Sequence, residues 1–238
     1  MRLIALTDIA EAGDMFDGWV GTQTETATEI EETFAITGFN SVIILNTSGI
    51  SASLLVDGVT QTVSLIRDSV KDWWDYWFAP LRTGKDIVFY FPTQTSGNAT
   101  ITISYAGGTA KCGMCITGVA TEIADTRWGI EIGITDYSII ATDEFGQTYL
   151  NPGNWAKRAE TELKMASGQA DIAYREIIKN RGTACVFDYN QYSYALTERH
   201  TSDDGIQALV VYGFTEDYSA TLVASSMAIA RHEVQGLI

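Results

Sequence analysis

Three cysteines and two histidines are the residues of this chain best suited to bind a metal ion. Cys112 and Cys115 have the C-x2-C spacing of a zinc knuckle or an iron–sulfur ligand pair, and further ligands could come from Cys185, His200 and His232. No second C-x2-C pair and no H-x3-5-H pair accompanies them. The pair also falls on a predicted strand, where side chains three residues apart point to opposite faces. Buried, reduced thiols without a cofactor are therefore expected, with metal binding as the alternative.

His200 lies among the residue types of a hydrolase triad, because Glu198 and Arg199 precede it and residues 202–204 read Ser-Asp-Asp. No G-x-S-x-G elbow occurs, and triads are not assembled from neighbours in sequence. Neither a P-loop nor a Rossmann glycine motif is present, so no nucleotide cofactor is expected. We expect a surface loop at His200 and a protein that is not an enzyme.

An acidic segment near the N-terminus offers oxygen ligands for calcium, with Asp14, Asp17 and Gly18 preceded by Glu11. Its spacing does not match the D-x-[DN]-x-[DN]-G pattern of a calcium loop. A solvated acidic loop is therefore expected there, with calcium binding as the alternative.

A cluster of aromatic side chains between residues 73 and 78 holds three of the six tryptophans. Such rings fill a core, anchor a protein interface or stack on sugar rings. In the core interpretation, alternate members point inward and the others cover a neighbouring domain. The candidates for an interface or glycan site are Trp73, Trp74, Tyr76, Trp77 and Phe78.

The bulk properties indicate a folded protein that does not contact DNA. The chain has 238 residues, 46% of them hydrophobic, and a net charge of -15. Nine acidic residues but no Lys or Arg lie between Arg2 and Arg67, so binding to nucleic acid or to an anionic membrane is not expected. The longest aliphatic run is 42–45, too short for a membrane span. Because Asp8 interrupts the N-terminal apolar segment, we expect no export signal and assembly in the cytoplasm.

The N-terminal half has the pattern of an antiparallel sheet. Asp57-Gly58 predicts a type I′ hairpin, and turns are also expected at 95–98 and 107–108. Residues 1–119 are therefore predicted to form a β-sandwich of jelly-roll or galactose-binding-like type. The expected strands are 41–46, 51–56, 60–66, 86–91, 99–104 and 109–116.

The C-terminal half, residues 120–238, is predicted to be β-rich with one helix. Residues 159–165 alternate between apolar and charged side chains, as in a half-buried strand. A helix is predicted near 169–180, with Ser167 as its N-cap and Gly182 beyond its end. A turn is expected at 143–146, and the other expected strands are 130–140, 183–187, 207–214 and 218–227.

Several short motifs between Trp73 and Met165 carry a resemblance to a known family. They are Trp73–Pro80, Cys112-Gly113, Asp136-Tyr137-Ser138, Asp143-Glu144-Phe145-Gly146 and Ala156-Lys157-Arg158. In this order and spacing they resemble small tail-tip or baseplate proteins of long-tailed bacteriophages, of the distal-tail-like kind with a β-sandwich domain. The order of strands, one helix and more strands in the second half adds an analogy to tail-tube and ring domains.

The resemblance implies a structural virion component that joins other tail proteins and forms a symmetric homo-oligomeric ring, which would cover strand edges. Cys115 departs from the family pattern, and some tail-hub proteins hold iron–sulfur clusters, so the metal alternative stays open. A second alternative is a carbohydrate-binding or receptor-binding tail component that holds host glycan. A third alternative is a hydrolase that acts on the host envelope, although the chain has no hydrolase motif.

Overall fold

A computed structural model describes residues 1–7, 13–66, 73–74, 84–105, 107–126, 129–190, 200–201 and 209–237. The fold is mainly β, as predicted. The helices with described bounds are a 3-10 helix (Asp14–Phe16) and α1 (Ser167–Lys179), and Trp73 and Trp74 are also helical. No helix in the described residues is long and apolar enough to cross a membrane. The strands are β1 (Arg2–Thr7), β2 (Thr24–Thr26), β3 (Glu29–Leu45), β4 (Ser51–Val56), β5 (Val59–Ser64), β6 (Ile87–Ser104), β7 (Ala110–Cys112), β8 (Met114–Glu122), β9 (Asp125–Thr126), β10 (Glu131–Asp136), β11 (Ile139–Thr142), β12 (Thr148–Asn151), β13 (Trp155–Ala166), β14 (Cys185–Asp188), β15 (His200–Thr201), β16 (Val210–Ala224) and β17 (Met227–Gly236).

The chain divides into two compact units. The sandwich unit consists of Leu6–Ala120 and Tyr192–Gln207, and the helix unit consists of Met1–Ala5, Thr121–Gln191 and Ala208–Ile238. The first residues of the chain belong to the helix unit because β1 pairs antiparallel with β14, which lies far later in the sequence. Each unit has its own hydrophobic core.

The sandwich unit is built on β3 and β6, which pair antiparallel along most of their lengths. Their register is irregular between Ile36 and Ser41, which divides each strand into two halves. β4 pairs with the half of β6 that ends at Ser104, and β5 extends that layer. β8 pairs with the half of β3 that ends at Leu45, and these strands form the second layer. Two short pairs, β2 with β7 and β15 with β6, complete the unit.

One hydrophobic core joins the two layers of the sandwich unit. Phe34 and Ile101 come from one half of the β3–β6 pair, whereas Val42 and Phe89 come from the other. All four side chains are buried in the same cluster, as expected when one face of each layer packs on the other. The predicted antiparallel sandwich is thus present as two layers, and the finer comparison with jelly-roll or galactose-binding-like folds stays a prediction.

Two predicted turns of the sandwich unit have different outcomes. Asp57 and Gly58, with φ angles of +53° and +74°, connect β4 to β5 and confirm the predicted hairpin. The turn expected at 95–98 is wrong, because β6 passes through these residues as one strand. Gly97 and Asn98 pair there with β3, so the strand changes register without reversing its direction.

The helix unit is an antiparallel sheet in the order β10-β13-β17-β16-β14-β1, with β9 also paired to β13. The alternation predicted on β13 is confirmed, since Leu163 is buried and its neighbours Glu162 and Lys164 are exposed. Helix α1 covers this sheet with Ala173 and Ile177, which belong to the same buried cluster as Leu163.

Helix α1 is confirmed, with bounds that differ slightly from the predicted 169–180. It begins at Ser167 and follows Ala166 as the N-cap residue, so the assignment of Ser167 as N-cap is wrong. Ser167 Oγ instead donates a hydrogen bond to the carbonyl of Ser225 at 2.9 Å, which ties the first turn to the β16–β17 connection. Gly182 lies beyond the end of the helix with a φ of +71°, as predicted.

Two expected strands of the helix unit have different bounds in the structure. The segment 130–140 forms two strands, β10 and β11, with Tyr137 and Ser138 between them. The strand expected over 218–227 is the outer part of β16, which reverses at residues 225–226 into β17.

The sequence predicts no strand after residue 227, so nearly all of β17 is not predicted. Its buried face carries Ala228, Ala230, His232 and Val234, whereas the apolar side chain of Ile229 lies on the other face. Because two of these four buried residues are alanines and one is a histidine, the alternation of large apolar side chains is weak, and pairing with β13 and β16 defines this strand.

Candidate functional site

The aromatic candidates are only partly described. Trp73 and Trp74 have helical backbone conformation and are 77% and 69% exposed, so neither is part of a core. The remaining candidates lie outside the described residues: Tyr76, Trp77 and Phe78.

All three cysteines are free thiols and buried. Cys112 and Cys115 belong to the core of the sandwich unit, because Gly113 separates their strands and both side chains turn inward. The expectation of opposite faces is therefore wrong for this pair. Burial raises the pKa of Cys112 to about 12 and that of Cys185 to about 11, which disfavours the thiolate that metals require. Among the described residues, no three metal-ligating side chains lie together.

His232 is fully buried in the helix unit. Its Nδ1 lies 3.0 Å from the Tyr189 hydroxyl and its Nε2 lies 3.1 Å from Thr215 Oγ1, so both ring nitrogens have partners. Its ring also packs on Phe187, with 5.3 Å between centroids. Burial, and then the N-terminal ammonium group, lower the pKa of His232 to about 3. This imidazole is a neutral part of the core and has no access to a substrate.

The other polar candidates show no catalytic arrangement where they are described. The side chain of His200 and residues 202–204 lie outside the described part of the chain. Asp17 closes its own loop, because Oδ1 accepts from Trp19 N at 2.8 Å and Oδ2 accepts from Thr22 Oγ1 at 2.7 Å. Both Asp17 oxygens are therefore engaged within the loop. Glu11, the first residue of the calcium candidate, is also outside the described residues.

The most distinctive surface feature is the pair β11 and β12, residues 139–151, which we call the apolar hairpin. All eight residues of its two strands are exposed, on both faces, although many are large and apolar. Among the described residues, these two strands pair with each other and with no further strand. Its exposed apolar side chains are Ile139, Ile140, Phe145, Tyr149 and Leu150.

Hydrogen bonds of Asp143 hold the tip of the apolar hairpin. Its Oδ1 accepts from the backbone N–H of Phe145 at 2.9 Å and from that of Gln147 at 2.8 Å. Gly146 adopts a φ of +78°, and the backbone N–H of Asp143 donates to the carbonyl of Gln147. The predicted turn at 143–146 is confirmed, and the side chain of Phe145 at its tip is 88% exposed.

The base of the apolar hairpin is fixed by the Asp-Tyr-Ser motif. Ser138 donates to Asp136 Oδ1 through its hydroxyl at 2.6 Å and its backbone N–H at 2.9 Å, and these bonds lower the pKa of the Asp136 carboxyl. Ser138 Oγ accepts from Gly153 N at 2.9 Å, and Tyr137 N donates to the Asn154 carbonyl at 3.0 Å. The motif therefore sets the point at which the hairpin leaves the sheet.

The apolar surface continues from the hairpin onto β10 and the start of β13. Ile132 pairs with Ala159, which faces the core, and Ile134 lies two residues further along the same face. Ile134 and Trp155 are nevertheless more than half exposed. At this end of the sheet the core-facing side of β10 and β13 is thus uncovered, and β10 is an edge strand in the sheet order.

A charged cleft of about 390 Å³ lies on the opposite face of β13 and is lined by Gly129, Glu131, Glu160, Thr161, Glu162 and Arg231. Glu160 forms an ion pair with Arg231, and Arg158 pairs with Glu233 beside it. Three glutamates and one arginine line the cleft, so it is acidic and partly neutralised by these ion pairs. Its described lining offers ion pairs and no pairing of a nucleophile with an adjacent base.

The apolar hairpin was not among the candidate sites identified from sequence, although a turn at 143–146 was predicted. A signal existed: Ile139-Ile140 and Tyr149-Leu150 put apolar residues on both faces of two short strands, whereas a strand covered on one side alternates. No protein-family profile, curated protein or solved structure matches the chain.

Proposed function

We propose that this chain is a non-enzymatic structural component of a bacteriophage tail tip or baseplate, which assembles into a symmetric ring through contacts between protein surfaces. The observation that carries the proposal is the apolar hairpin, whose strands expose large apolar side chains on both faces. The tail assignment is supported by the motifs that resemble distal-tail-like proteins, two of which form the base and the tip of this hairpin.

The exposed apolar surface of the hairpin favours an interface in which a partner covers it. Isolated two-stranded hairpins are marginally stable in water, and contiguous apolar patches mark protein interfaces. Ile140 and Leu150 pair across the hairpin. Ile139 precedes Ile140 on one strand, and Tyr149 precedes Leu150 on the other. A partner that covers them removes this apolar surface from water and also shields the edge strand β10.

The test is the oligomeric state of the purified chain, measured by sedimentation velocity and native mass spectrometry. We expect a defined ring-sized oligomer, and we expect the double change Phe145→Ser and Ile140→Ser to shift it to monomer without loss of folded structure. Val59→Ser is the matched control, because Val59 is an exposed apolar residue on a strand of the sandwich unit. A wild-type chain that stays monomeric at high concentration and is missing from purified phage particles rejects the proposal.

A second candidate function is binding of host-surface glycan, and the exposure of Trp73 and Trp74 favours it. Exposed indole rings stack on the apolar faces of sugars. Trp73→Ala and Trp74→Ala should each abolish retention on host polysaccharide, while Trp155→Ala, which removes an exposed tryptophan of the helix unit, should not. Unchanged retention after both alanine changes excludes this pair as a glycan site.

A further inference from the structure

We propose that the apolar hairpin of one copy docks onto the exposed face of helix α1 in a second copy, so that successive copies join through two different surfaces. The inference rests on the proposed function, since it names the partner surface of the hairpin. Phe145 and Glu144 contribute the tip, and Tyr174 and Ile178 contribute the receiving face.

The tip of the apolar hairpin combines one large apolar side chain with negative charge. Phe145 is 88% exposed and stands between the exposed carboxylate of Glu144 and the turn glycine, Gly146. The carboxylate of Asp143 is already hydrogen-bonded within the turn. Glu144 is therefore the charge of the tip best placed for a partner.

The outer face of helix α1 has the complementary composition. Ala173 and Ile177 are buried against the sheet, whereas Tyr174 and Ile178 are about half exposed. Since Tyr174 and Ile178 are four residues apart, they are neighbours on the helix surface. The helix thus presents an apolar strip beside the one that it buries.

Basic side chains outnumber acidic ones beside this strip. Arg175, Lys179 and Arg181 make residues 175–181 the densest basic stretch of a chain whose net charge is -15. All three side chains are exposed, and in the described part of the chain Arg175 and Lys179 form ion pairs with Asp171 and Glu176 of the same helix. The C-terminal end of a helix also favours cations, so these charges are stable there.

Charge complementarity selects a second copy as the occupant. An acidic apolar tip is repelled by much of the surface of so acidic a chain, whereas residues 171–181 hold three basic and two acidic side chains and so carry a net positive charge. Within one copy, the tip and the strip are both exposed, so neither of them covers the other. Two different surfaces on one chain form a heterologous contact, which generates a ring when the rotation between copies closes.

Disulfide trapping between two separately prepared chains tests this pairing. One chain carries Phe145→Cys and the other carries Ile178→Cys with a mass tag, and both are mixed before a mild thiol oxidant is added. The native cysteines are buried, so they should not compete. We expect a cross-linked heterodimer in the mixture. Either chain alone should give at least about tenfold less cross-link, and so should a mixture in which Val59→Cys replaces Phe145→Cys.

A charge exchange provides an independent measurement on the intact chain. Glu144→Lys alone, or Lys179→Glu with Arg181→Glu, should weaken self-association by about tenfold, because like charges then face each other. The chain that carries all three changes should recover association to within about threefold of wild type.

The outcomes separate this inference from the proposed function. If the wild-type chain forms a ring but the Phe145–Ile178 cross-link is no stronger than the control, or the exchange restores nothing, the hairpin docks elsewhere and only the inference is overturned. If the wild-type chain neither self-associates nor enters phage particles, both are overturned.

Discussion

The carbonyl oxygen of Val20 lies 2.7 Å from the position that a Cβ atom on Gly113 would occupy. Asn46 Nδ2 donates to the same carbonyl at 3.2 Å, and the backbone N–H of Gly113 donates to the carbonyl of Asn46 at 3.3 Å. The loop that contains Val20 thus packs directly on the corner between β7 and β8. The glycine of the Cys-Gly pair is explained by this close approach.

We predict that Gly113→Ala destabilises the protein by about 1–3 kcal/mol, because a backbone carbonyl must move to admit the methyl group. Equilibrium unfolding in urea provides the measurement. Gly21→Ala is the matched control, since a Cβ there has no heavy atom within 4 Å, and its free energy of unfolding should stay near that of wild type. Equal effects of the two changes contradict the steric explanation.

Asp143→Ala should loosen the apolar hairpin without unfolding the rest of the helix unit. Loss of the acceptor for Phe145 N and Gln147 N should speed hydrogen exchange at these two amides by about tenfold. The global free energy of unfolding should change by less than about 0.5 kcal/mol, because the hairpin strands bury no side chains. Asp143→Asn removes the same charge but keeps the acceptor, so its exchange should stay close to wild type.

The buried imidazole of His232 predicts acid sensitivity. Its pKa is about 3 in the folded state against about 6.5 in the unfolded chain, so below pH 6.5 only the unfolded state gains the proton. Stability should fall by about 1.4 kcal/mol for each pH unit between 6.5 and 3 from this group, and this loss is absent above pH 6.5.

Urea unfolding at several pH values measures this slope. His232→Gln keeps a polar side chain without a titrating ring, so its stability should depend less on pH between 6.5 and 5, whatever its absolute level. A proton NMR titration that assigns His232 a pKa near 6.5 in the folded protein rules out the explanation.

The thiols should be inert in the folded protein. Burial raises the pKa of Cys112, Cys115 and Cys185, so the reactive thiolate is scarce and shielded. A chromogenic disulfide reagent at pH 8 should label none of the three in native protein and all three after unfolding in guanidinium chloride. Rapid labelling of any one in native protein would show that its burial is transient.

Local turn and helix chemistry was predictable from sequence. Asp57-Gly58 forms the expected hairpin because both residues accept positive φ, and Asp143 begins the expected turn because its carboxylate bonds to the next backbone amides. The helix near 167–179 and the alternation on β13 followed from periodicity. Each of these depends on interactions between residues close in sequence.

Features that depend on contacts between distant parts of the chain could not be predicted from the sequence. Residues 95–98 have the composition of a turn, yet pairing with β3 keeps them within one strand. Exposure is also a tertiary property: Ile140 and Leu150 resemble core residues in sequence, but no other strand in the described part of the chain covers them. The sequence by itself determined the mainly β class and the turns at 57–58 and 143–146, because the geometry of these turns is local. Only the tertiary structure decided which strands meet and which apolar side chains stay on the surface, because both depend on contacts between residues far apart in the chain.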